Sequence, residues 1–370
     1  MKLKNIGLII LATSFIWSCK SDDKPSSTDN FDISTILTNY ADNIIIERYE
    51  KLSVKTADLK NAAVSFNANV SQANLDILQD KFRLAYLAWQ ENSAFQFGYA
   101  KTVSLRKTLN TFPTNTSEIK KLINDTTINQ KGASYIDATG LPGLDYILFS
   151  DGDPEVLSRF TTAENKKGAK KYLLAITTSI AIFSDEAYSF WKNNEEGFKA
   201  DFKTDKSKAV KSSFSNLVNE FVYDTEFMKN YQLSYPIGKY GGLNIPRPEI
   251  IEAKNSKYNI QLYKEHLFAL KKLYLGEDQS GTNGIGFDDY LIALKSKRNG
   301  EPLNTLIIEQ FNLIDENIDL ISLDLLTAIE NQAEILDKLF VANKLLVSYF
   351  KVDMCSEFGI QITYTDNDGD

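Results

Sequence analysis

The stretch NQAEILDKLFVANKLLVSYFKV, residues 331–352, carries the clearest periodic pattern in the chain. Its apolar residues recur at i, i+4, i+7, i+11 and i+14, at the positions Ile335, Leu339, Ala342, Leu346 and Tyr349. This spacing places them on one face of an α-helix, and such a face packs against the core of a soluble protein. The stretch therefore predicts a long amphipathic helix.

Three further stretches, residues 33–52, 75–100 and 170–191, show the same spacing, and another helical run is expected over 258–275. The chain has only 18 Gly and 8 Pro in 370 residues, which suits long helices and disfavours a many-turned β fold. Long helices with short connectors are typical of up-and-down bundles. The sequence therefore predicts an all-α fold.

The charge balance and the single histidine limit the classes of function. Lys and Arg number 41 against 49 Asp and Glu, giving a net charge of −8, so we expect no nucleic-acid partner. His266 is the only imidazole, which excludes zinc sites built on two or three histidines. Because no serine lies in a GxSxG elbow, no Ser-His-Asp triad is expected, and His266 is interpreted as a surface or satisfied histidine.

The first 30 residues carry the signs of export and lipid anchoring. Two early lysines precede an apolar run over 6–17, which is too short to span a bilayer and is typical of a signal peptide. Ser18-Cys19 then resembles the lipobox of bacterial lipoproteins, in which the cysteine is acylated. An ordinary secretory signal with an incidental cysteine is the alternative. Residues 20–30 are polar and aperiodic, which predicts a flexible tether.

The residues after Cys19 refine the expected location. Lys20, Asp22 and Asp23 resemble the surface-export signal of Bacteroidota lipoproteins. We therefore expect an outer-membrane lipoprotein exposed at the cell surface, with a periplasm-facing body as the second choice. With Cys19 acylated, Cys355 is left alone and forms no internal disulfide.

The C-terminus departs from the helical pattern. Ile360, Ile362 and Tyr364 alternate with polar residues, which predicts one short strand or extended segment. The acidic tail 366–370 ends before the twelfth-position glutamate of a calcium loop, so we interpret it as a solvated tail.

Two stretches rich in Gly and Pro, 140–149 and 235–249, are expected to interrupt the helices. In the first, we expect Pro142 as the first helical residue, since its missing N–H is one that a helix start leaves unpaired. Asp145 then lies in the first turn among apolar neighbours, where burial raises a carboxyl pKa and demands a partner. It is therefore a site candidate. The alternative is a helix-start carboxylate that faces solvent or makes a structural hydrogen bond.

The second stretch contains an arginine between two prolines. The prolines hold the backbone extended, which fixes the direction of the Arg247 guanidinium and suits it to gripping a carboxylate or phosphate. Glu249 and Glu252 are three residues apart and share a face if a helix has begun. Ser256 is interpreted as a helix N-cap rather than a nucleophile.

Five separated segments resemble the imelysin family, and more closely its Bacteroidota lipoprotein branch. They occur in the family's order and extend over nearly the whole mature chain. The segments are Ala88-Trp89 with Phe95-Gln96-Phe97-Gly98; Leu109-Asn110-Thr111-Phe112-Pro113 with Ile119; Gly140 to Tyr146; Pro248 with Glu252 and Ser256; and Phe350 to Asp353 with Phe358-Gly359.

The resemblance implies an all-α protein of two related up-and-down four-helix-bundle halves with a groove between them. The similarity of residues 143–146 to residues 286–290 is in keeping with two related halves. The expected divisions are a signal peptide over 1–19, a tether over 20–30, an N-terminal half over 31–203 and a C-terminal half over 204–370.

The family's namesake is described as a metallopeptidase, and relatives are linked to iron uptake. In the place of the family's GxHxxE signature, Gly140 keeps its role, Pro142 replaces the His and Asp145 replaces the Glu. A proline side chain has no donor atom, and one carboxylate aided by Glu252 supplies too few ligands for a catalytic zinc. A hard cation, a divalent metal or iron, held by oxygen atoms of Asp145 and Glu252 stays open.

The favoured hypothesis is a non-catalytic, lipid-anchored binding protein of the cell envelope, linked to iron or metal uptake. Its groove is expected to hold a small-molecule, peptide or metal ligand where four residues converge: Asp145, Arg247, Glu252 and Ser256. The alternatives are a divergent metal-dependent peptidase and a structural or partner-binding surface component. The expected partner is the membrane, to which the protein is anchored through the acylated Cys19.

Overall fold

A computed structural model describes residues 31–125, 133–242 and 244–364. From Asp32 onward the chain forms one compact unit. The predicted signal peptide, Cys19, the tether and the acidic tail 366–370 lie outside the described residues.

Helices make up most of the described chain, as predicted. The α-helices are α1 (Ile33–Asn39), α2 (Ile46–Ala68), α3 (Gln72–Gln90), α4 (Tyr99–Thr102), α5 (Leu105–Asn110), α6 (Thr116–Asp125), α7 (Gly140–Phe149), α8 (Asp153–Thr161), α9 (Lys166–Lys192), α10 (Phe198–Thr204), α11 (Ser213–Phe227), α12 (Asn259–Tyr274), α13 (Phe287–Leu294), α14 (Leu303–Asp319), α15 (Leu325–Asn331), α16 (Ala333–Ser348) and α17 (Cys355–Phe358). π-Helical turns cover Tyr40–Ile45, Met228–Ser234 and Tyr349–Met354, and 3₁₀ turns cover Ala133–Ala138, Glu195–Gly197, Tyr240–Gly242 and Pro248–Ile250. Strands β1 (Lys297–Arg298) and β2 (Glu301–Pro302) form a small antiparallel hairpin.

The long helices pack through the apolar faces that their sequences predict. Helix α2 lies along both α3 and α9, and α14 lies along α16. Leu52, Leu59 and Phe66 of α2 are fully buried, and the Phe66 ring meets Phe160 edge-on with 5.0 Å between centroids. Burial of each such side chain stabilises the fold by about 1.5–3 kcal/mol. The helices predicted over 170–191 and 331–352 are confirmed as α9 and as α16 with its π-helical extension.

The helix predicted over 75–100 is too long. Helix α3 ends at Gln90, and residues Glu91, Asn92 and Ser93 are buried in the turn that follows. Asn92 Nδ2 donates to the carbonyls of Arg48 and Ala88, at 3.0 and 2.8 Å. Buried polar side chains that bind backbone groups offer the chain an alternative to the helix, which ends it early.

Residues 140–149 form a regular helix that begins two residues before the predicted start at Pro142, so the stretch contains no separate irregular segment. Because α7 begins at Gly140, Pro142 is its third residue and Asp145 lies in its second turn rather than its first. The first turn of a helix has no internal partner for its N–H groups, so it tolerates Pro142 there. Gly140 has φ +73°, and a Cβ at this position would lie 2.6 Å from the carbonyl oxygen of Leu109. Glycine thus permits the close approach of α7 to α5.

The stretch 235–249 is irregular, as predicted, but the chain after it differs from expectation. Helix α12 begins at Asn259 with Tyr258 as its N-cap and has no side-chain cap, so the N-cap prediction for Ser256 is wrong. Residues 360–364 form no strand; Asn219 holds this segment through hydrogen bonds to Gln361 O at 3.1 Å and from Thr363 N at 2.8 Å.

Two further observations concern the whole described chain. Cys355 is a buried free thiol. Within the described ranges, none of the helices combines the length and apolar character that crossing a membrane requires.

Candidate functional site

A network of polar side chains, all of them buried except the half-buried Arg106, joins helices that are far apart in the sequence. We call it the buried network; its members are Gln90, Ser93, Arg106, Asn110, Asp224, Gln232, Glu252 and His266. They come from α3 and the turn after it, α5, α11, the π-helical turn after α11, the loop before α12, and α12. In an apolar interior such groups are stable only when hydrogen-bonded to one another.

His266 is the centre of the buried network and is fully buried. Its Nε2 lies 2.8 Å from Asp224 Oδ2 and 3.0 Å from Ser93 Oγ, while its Nδ1 lies 3.0 Å from Gln232 Oε1. Ser93 Oγ also donates to Asp224 Oδ2, at 2.6 Å. In a hydrolytic triad the acid and the serine bind opposite ring nitrogens. Here both contact the same nitrogen, so the geometry is that of a satisfied histidine.

Asp224 is a charged group held without contact to solvent. Burial alone would raise its pKa, but His266, Arg106 and Ser93 together hold the pKa below its ordinary value. Arg106 Nη2 donates to Asp224 Oδ1 at 3.0 Å and to the carbonyl of Ser93 at 2.7 Å. The ionised Asp224 therefore fixes one edge of the Arg106 guanidinium.

Glu252, a predicted ligand-binding and metal residue, is buried in the same network. Its Oε1 accepts from Gln90 Nε2 at 3.0 Å and Asn110 Nδ2 at 2.7 Å, and its Oε2 accepts from Gln232 Nε2 at 2.6 Å. Burial raises the pKa of Glu252, and these amide donors oppose the rise. Glu249, by contrast, is exposed, so the two glutamates do not share a face.

Asp145, the other predicted metal residue, fastens α7 to the loop before α12. Its Oδ2 accepts from the Asn255 backbone N at 2.9 Å and Asn255 Nδ2 at 2.8 Å, and its Oδ1 accepts from the Ser256 backbone N at 2.9 Å. Burial raises its pKa, and these donors oppose the rise. Burial is the main cause that raises the pKa of the Tyr86 hydroxyl, and the carboxylates of Glu252 and Asp145 add to the rise. The two carboxylates therefore lie in the same region of the interior. Asp145 thus makes the structural hydrogen bonds that sequence analysis left as its alternative.

Arg247 does not join these carboxylates. Its Nε lies 3.0 Å from Glu249 Oε1, and the two side chains are 52% and 59% exposed. Within the described chain, no hydrogen bond or ion pair connects Arg247 to Asp145 or Glu252. The loop that carries Arg247 lies on the surface, so the expected convergence of its guanidinium with the buried acids does not form.

The environment of Asp145 and Glu252 does not fit a metal ion. The hydrogen-bond partners of both carboxylates are N–H donors, whereas a cation needs oxygen, nitrogen or sulfur lone pairs directed at it. In the part of the chain that the structure describes, no three His, Cys, Asp or Glu side chains group as a metal set.

A cavity of about 380 Å³ opens beside the buried network. Two network members, Arg106 and Asn110, also line the cavity, so Asn110 connects it to Glu252. The remaining lining residues are Gln96, Lys101, Ser104, Lys107, Thr111, Phe112, Glu220, Tyr223, Phe227 and Tyr231. A volume in this range is typical of small-molecule sites. None of the four predicted ligand residues lines the cavity.

Arg106 and Glu220 dominate the electrostatics of the cavity. The Arg106 guanidinium lies over the Tyr223 ring, 4.8 Å from its centroid, and its Nη2 is 3.8 Å from Glu220 Oε2. Burial raises the pKa of Glu220 to about 7; Arg106 and Lys101 oppose the rise, and the Asp224 carboxylate adds to it. A carboxyl with this pKa changes charge near neutral pH.

Sequence reasoning did not identify the cavity residues. A signal existed in α11 and its extension, where Tyr223, Phe227 and Tyr231 recur at i, i+4 and i+8 and Glu220 precedes Asp224 by four residues. A helix face that only packs against the core is apolar, so a stretch of helix that combines aromatic side chains with carboxylates is unusual. Arg106, more than a hundred residues earlier, gives no comparable local signal.

Comparisons with known proteins agree with this fold. A crystal structure of a Parabacteroides distasonis protein, provisionally named an iron-regulated protein A precursor, is 17% identical with a TM-score of 0.71, covering 88% of this chain and 95% of that one. A crystal structure of an imelysin-like protein from Psychrobacter arcticum is 16% identical with a TM-score of 0.71, covering 90% and 96%. No curated protein matches the sequence. The family model of imelysin matches residues 45–338, most of the chain, and the protein therefore belongs to the imelysin family.

Proposed function

We propose that this chain is a lipid-anchored, non-catalytic binding protein of the outer membrane, serving iron or metal uptake and belonging to the Bacteroidota branch of the family. Its ligand occupies the 380 Å³ cavity. The cavity is lined by residues between 96 and 112 on one side and between 220 and 231 on the other, which fall in the two proposed halves, 31–203 and 204–370. This lining supports the proposal that the cavity is the groove between the halves.

The main support for the binding function is that polar side chains lining the open cavity are already held in place by the fold. Arg106 is fixed by Asp224 and by the Ser93 carbonyl, and Asn110 by Glu252 and Tyr86. Groups held in this way lose little conformational entropy when a ligand arrives, which favours binding.

The chemistry of the same region supports a non-catalytic role. Ser93, His266 and Asp224 are buried and bonded to one another rather than aimed into the cavity. The donors around Asp145 and Glu252 disfavour the metal that the alternative, a divergent peptidase, requires.

The uptake and anchoring parts of the proposal have separate support. The name of the Parabacteroides relative links that protein to iron regulation. The Ser18-Cys19 pair and the acidic residues after it support acylation and surface export. A lipid anchor holds a binding protein at the membrane where a transporter acts.

Thermal unfolding of the full chain in detergent tests the binding function. The ligands are a panel of small organic anions, neutral molecules, amines, short peptides and ferrous and ferric salts. A ligand that binds only the folded state raises Tm. We expect at least one panel member to raise Tm in the native chain and in Thr161→Trp, but not in Thr111→Trp, which places an indole at the cavity lining.

The control is closely matched, since Thr111 and Thr161 each bond their hydroxyl to the carbonyl four residues earlier, at 2.7 and 2.8 Å. Equal responses of both variants contradict the cavity as the binding site. If the chain cleaves an unstructured peptide and a chelator abolishes this cleavage, the non-catalytic role is contradicted.

A further inference from the structure

Three cationic side chains surround the cavity of an otherwise acidic protein. Lys101, Arg106 and Lys107 line it, with Glu220 as the one carboxylate among the lining residues, although the whole chain carries a net charge of −8. Clefts lined by one sign of charge raise the local concentration of oppositely charged ligands. The cavity therefore favours an anion over a cation.

Arg106 has a nitrogen atom that is not hydrogen-bonded to any residue in the described part of the chain. Its Nη2 binds Asp224 and Ser93, but its Nη1 makes no hydrogen bond to any described residue and is not among the buried, unpartnered atoms, so solvent reaches it. The guanidinium is thus held at one edge and open at the other. A planar, fixed donor of this kind is the side chain best suited to a carboxylate or related oxyanion.

The two lysines beside it are also available. Neither the Lys101 nor the Lys107 ammonium forms a hydrogen bond or an ion pair with another residue in the described ranges, and both side chains are exposed. Lys203 and Lys351, by comparison, are neutralised by carboxylates at 2.9 and 3.2 Å. An anion held by Arg106 would attract both ammonium groups, and for Lys101 it would add to the attraction that this lysine already has to Glu220.

The cavity is also lined by aromatic side chains. Phe112 meets Phe227 edge-on at 6.0 Å, and Phe227 stacks on Tyr231 at 4.8 Å, so the three rings form a continuous wall. Tyr231 keeps 41% of its surface exposed. Such a wall fits a flat, unsaturated body better than a small hydrated ion.

We propose that the cavity binds a small organic anion, whose negative group contacts Arg106 between Lys101 and Lys107 and whose planar body lies against the wall of Phe112, Phe227 and Tyr231. This inference rests on the proposed binding function and names its ligand class. A bare metal ion at the same place faces three cationic side chains and gains no comparable contact.

Three probes with the same ring and different charge test the inference: indole-3-acetate, its neutral amide indole-3-acetamide, and the cation tryptamine. Titration calorimetry of the full chain in detergent measures each Kd. We expect the Kd of indole-3-acetate to be lower than that of the amide by a factor of about ten or more, because the amide cannot form the charged hydrogen bond to Arg106. Tryptamine is expected to bind weakest, and acetate, which lacks the ring, to bind more weakly than indole-3-acetate.

Variants assign the binding to the cavity. Lys101→Gln and Lys107→Gln each remove an exposed, unpaired charge and leave the buried network intact, and each is expected to weaken indole-3-acetate binding by about two- to five-fold. Lys297→Gln, at an exposed position of β1 that does not line the cavity, is the matched control and leaves the Kd unchanged. Tyr231→Leu, which shortens the wall, weakens the acid and the amide alike.

The inference is overturned if the amide or the amine binds as tightly as the acid, or if the two cavity lysines can be replaced without effect. Absence of binding by all three probes also overturns the ligand class. These results leave the proposed function intact if another panel member still raises Tm in the native chain but not in Thr111→Trp, so the two failures are distinguishable.

Discussion

Replacing Asp145 by asparagine tests the structural role that the geometry gives to this residue. The carboxylate receives three N–H groups, and two of them belong to the backbones of Asn255 and Ser256, each at 2.9 Å. These two donors bind different carboxylate oxygens and cannot rotate away. Whichever way the new amide is turned, its NH₂ therefore faces a backbone N–H at close range.

The cost follows from the number of hydrogen bonds affected. A lost hydrogen bond to a charged group contributes about 1.5–3 kcal/mol, and a buried donor left unpaired costs about 1–3 kcal/mol. Burial raises the pKa of Asp145, so removal of the charge recovers part of the desolvation penalty. We expect Asp145→Asn to lower the free energy of unfolding by about 2–4 kcal/mol.

Urea unfolding followed by far-UV circular dichroism measures this change as a lower midpoint at an unchanged m value. Asp80→Asn is the control, because that carboxylate is 71% exposed and its one ion pair with a described residue is with Arg83. Its substitution should change the free energy by less than about 0.5 kcal/mol. If Asp145→Asn is as stable as the native chain, the carboxylate does not hold the loop and the reasoning fails.

Three further outcomes are expected. Binding of indole-3-acetate should weaken as the pH rises through about 7, because Glu220, whose pKa burial raises to about 7, then ionises beside the anion. Glu220→Gln should remove this pH dependence. Calorimetry that finds the same Kd for the native chain below and above pH 7 would contradict the prediction. Among the described residues, the charged and titratable groups facing Glu220 are Tyr49, Lys101, Arg106, Tyr223 and Asp224. Cys19→Ala should move the protein from the membrane fraction to the soluble fraction, and its retention in membranes would refute the lipid anchor. Exhaustive treatment with EDTA should leave Tm unchanged, since N–H donors surround the buried carboxylates; a drop of several degrees would reveal a structural metal.

The helices were predictable where one face is regularly apolar. The patterns over 170–191 and 331–352 gave α9 and α16 because burial of a 3.6-residue stripe dominates local structure there. The start of α7 is predicted two residues too late because Gly140 and Pro142 are helix breakers in a helix interior, while at a helix start both are tolerated. Only the position of α5, whose Leu109 carbonyl lies against Gly140, shows which case applies.

The candidate site was less predictable than the fold. The apolar neighbours of Asp145 and the spacing of Glu252 from Glu249 make both carboxylates candidates, but their partners include Asn110 and Asn255, more than a hundred residues away in the sequence. Arg247 was placed with them from its rigid local backbone alone, which does not determine whether a loop faces inward. Arg106 and Glu220 meet only in the folded chain, so the periodic aromatic residues of α11 indicate one side of the cavity but not its arginine.

A crystal structure of the chain grown with indole-3-acetate would show directly whether the cavity holds an organic anion. We expect density for the acid in the cavity, with its carboxylate within hydrogen-bond distance of Arg106 Nη1 and its ring against Phe227 and Tyr231. Density beside Asp145 or Glu252, with the cavity filled by solvent, would contradict it.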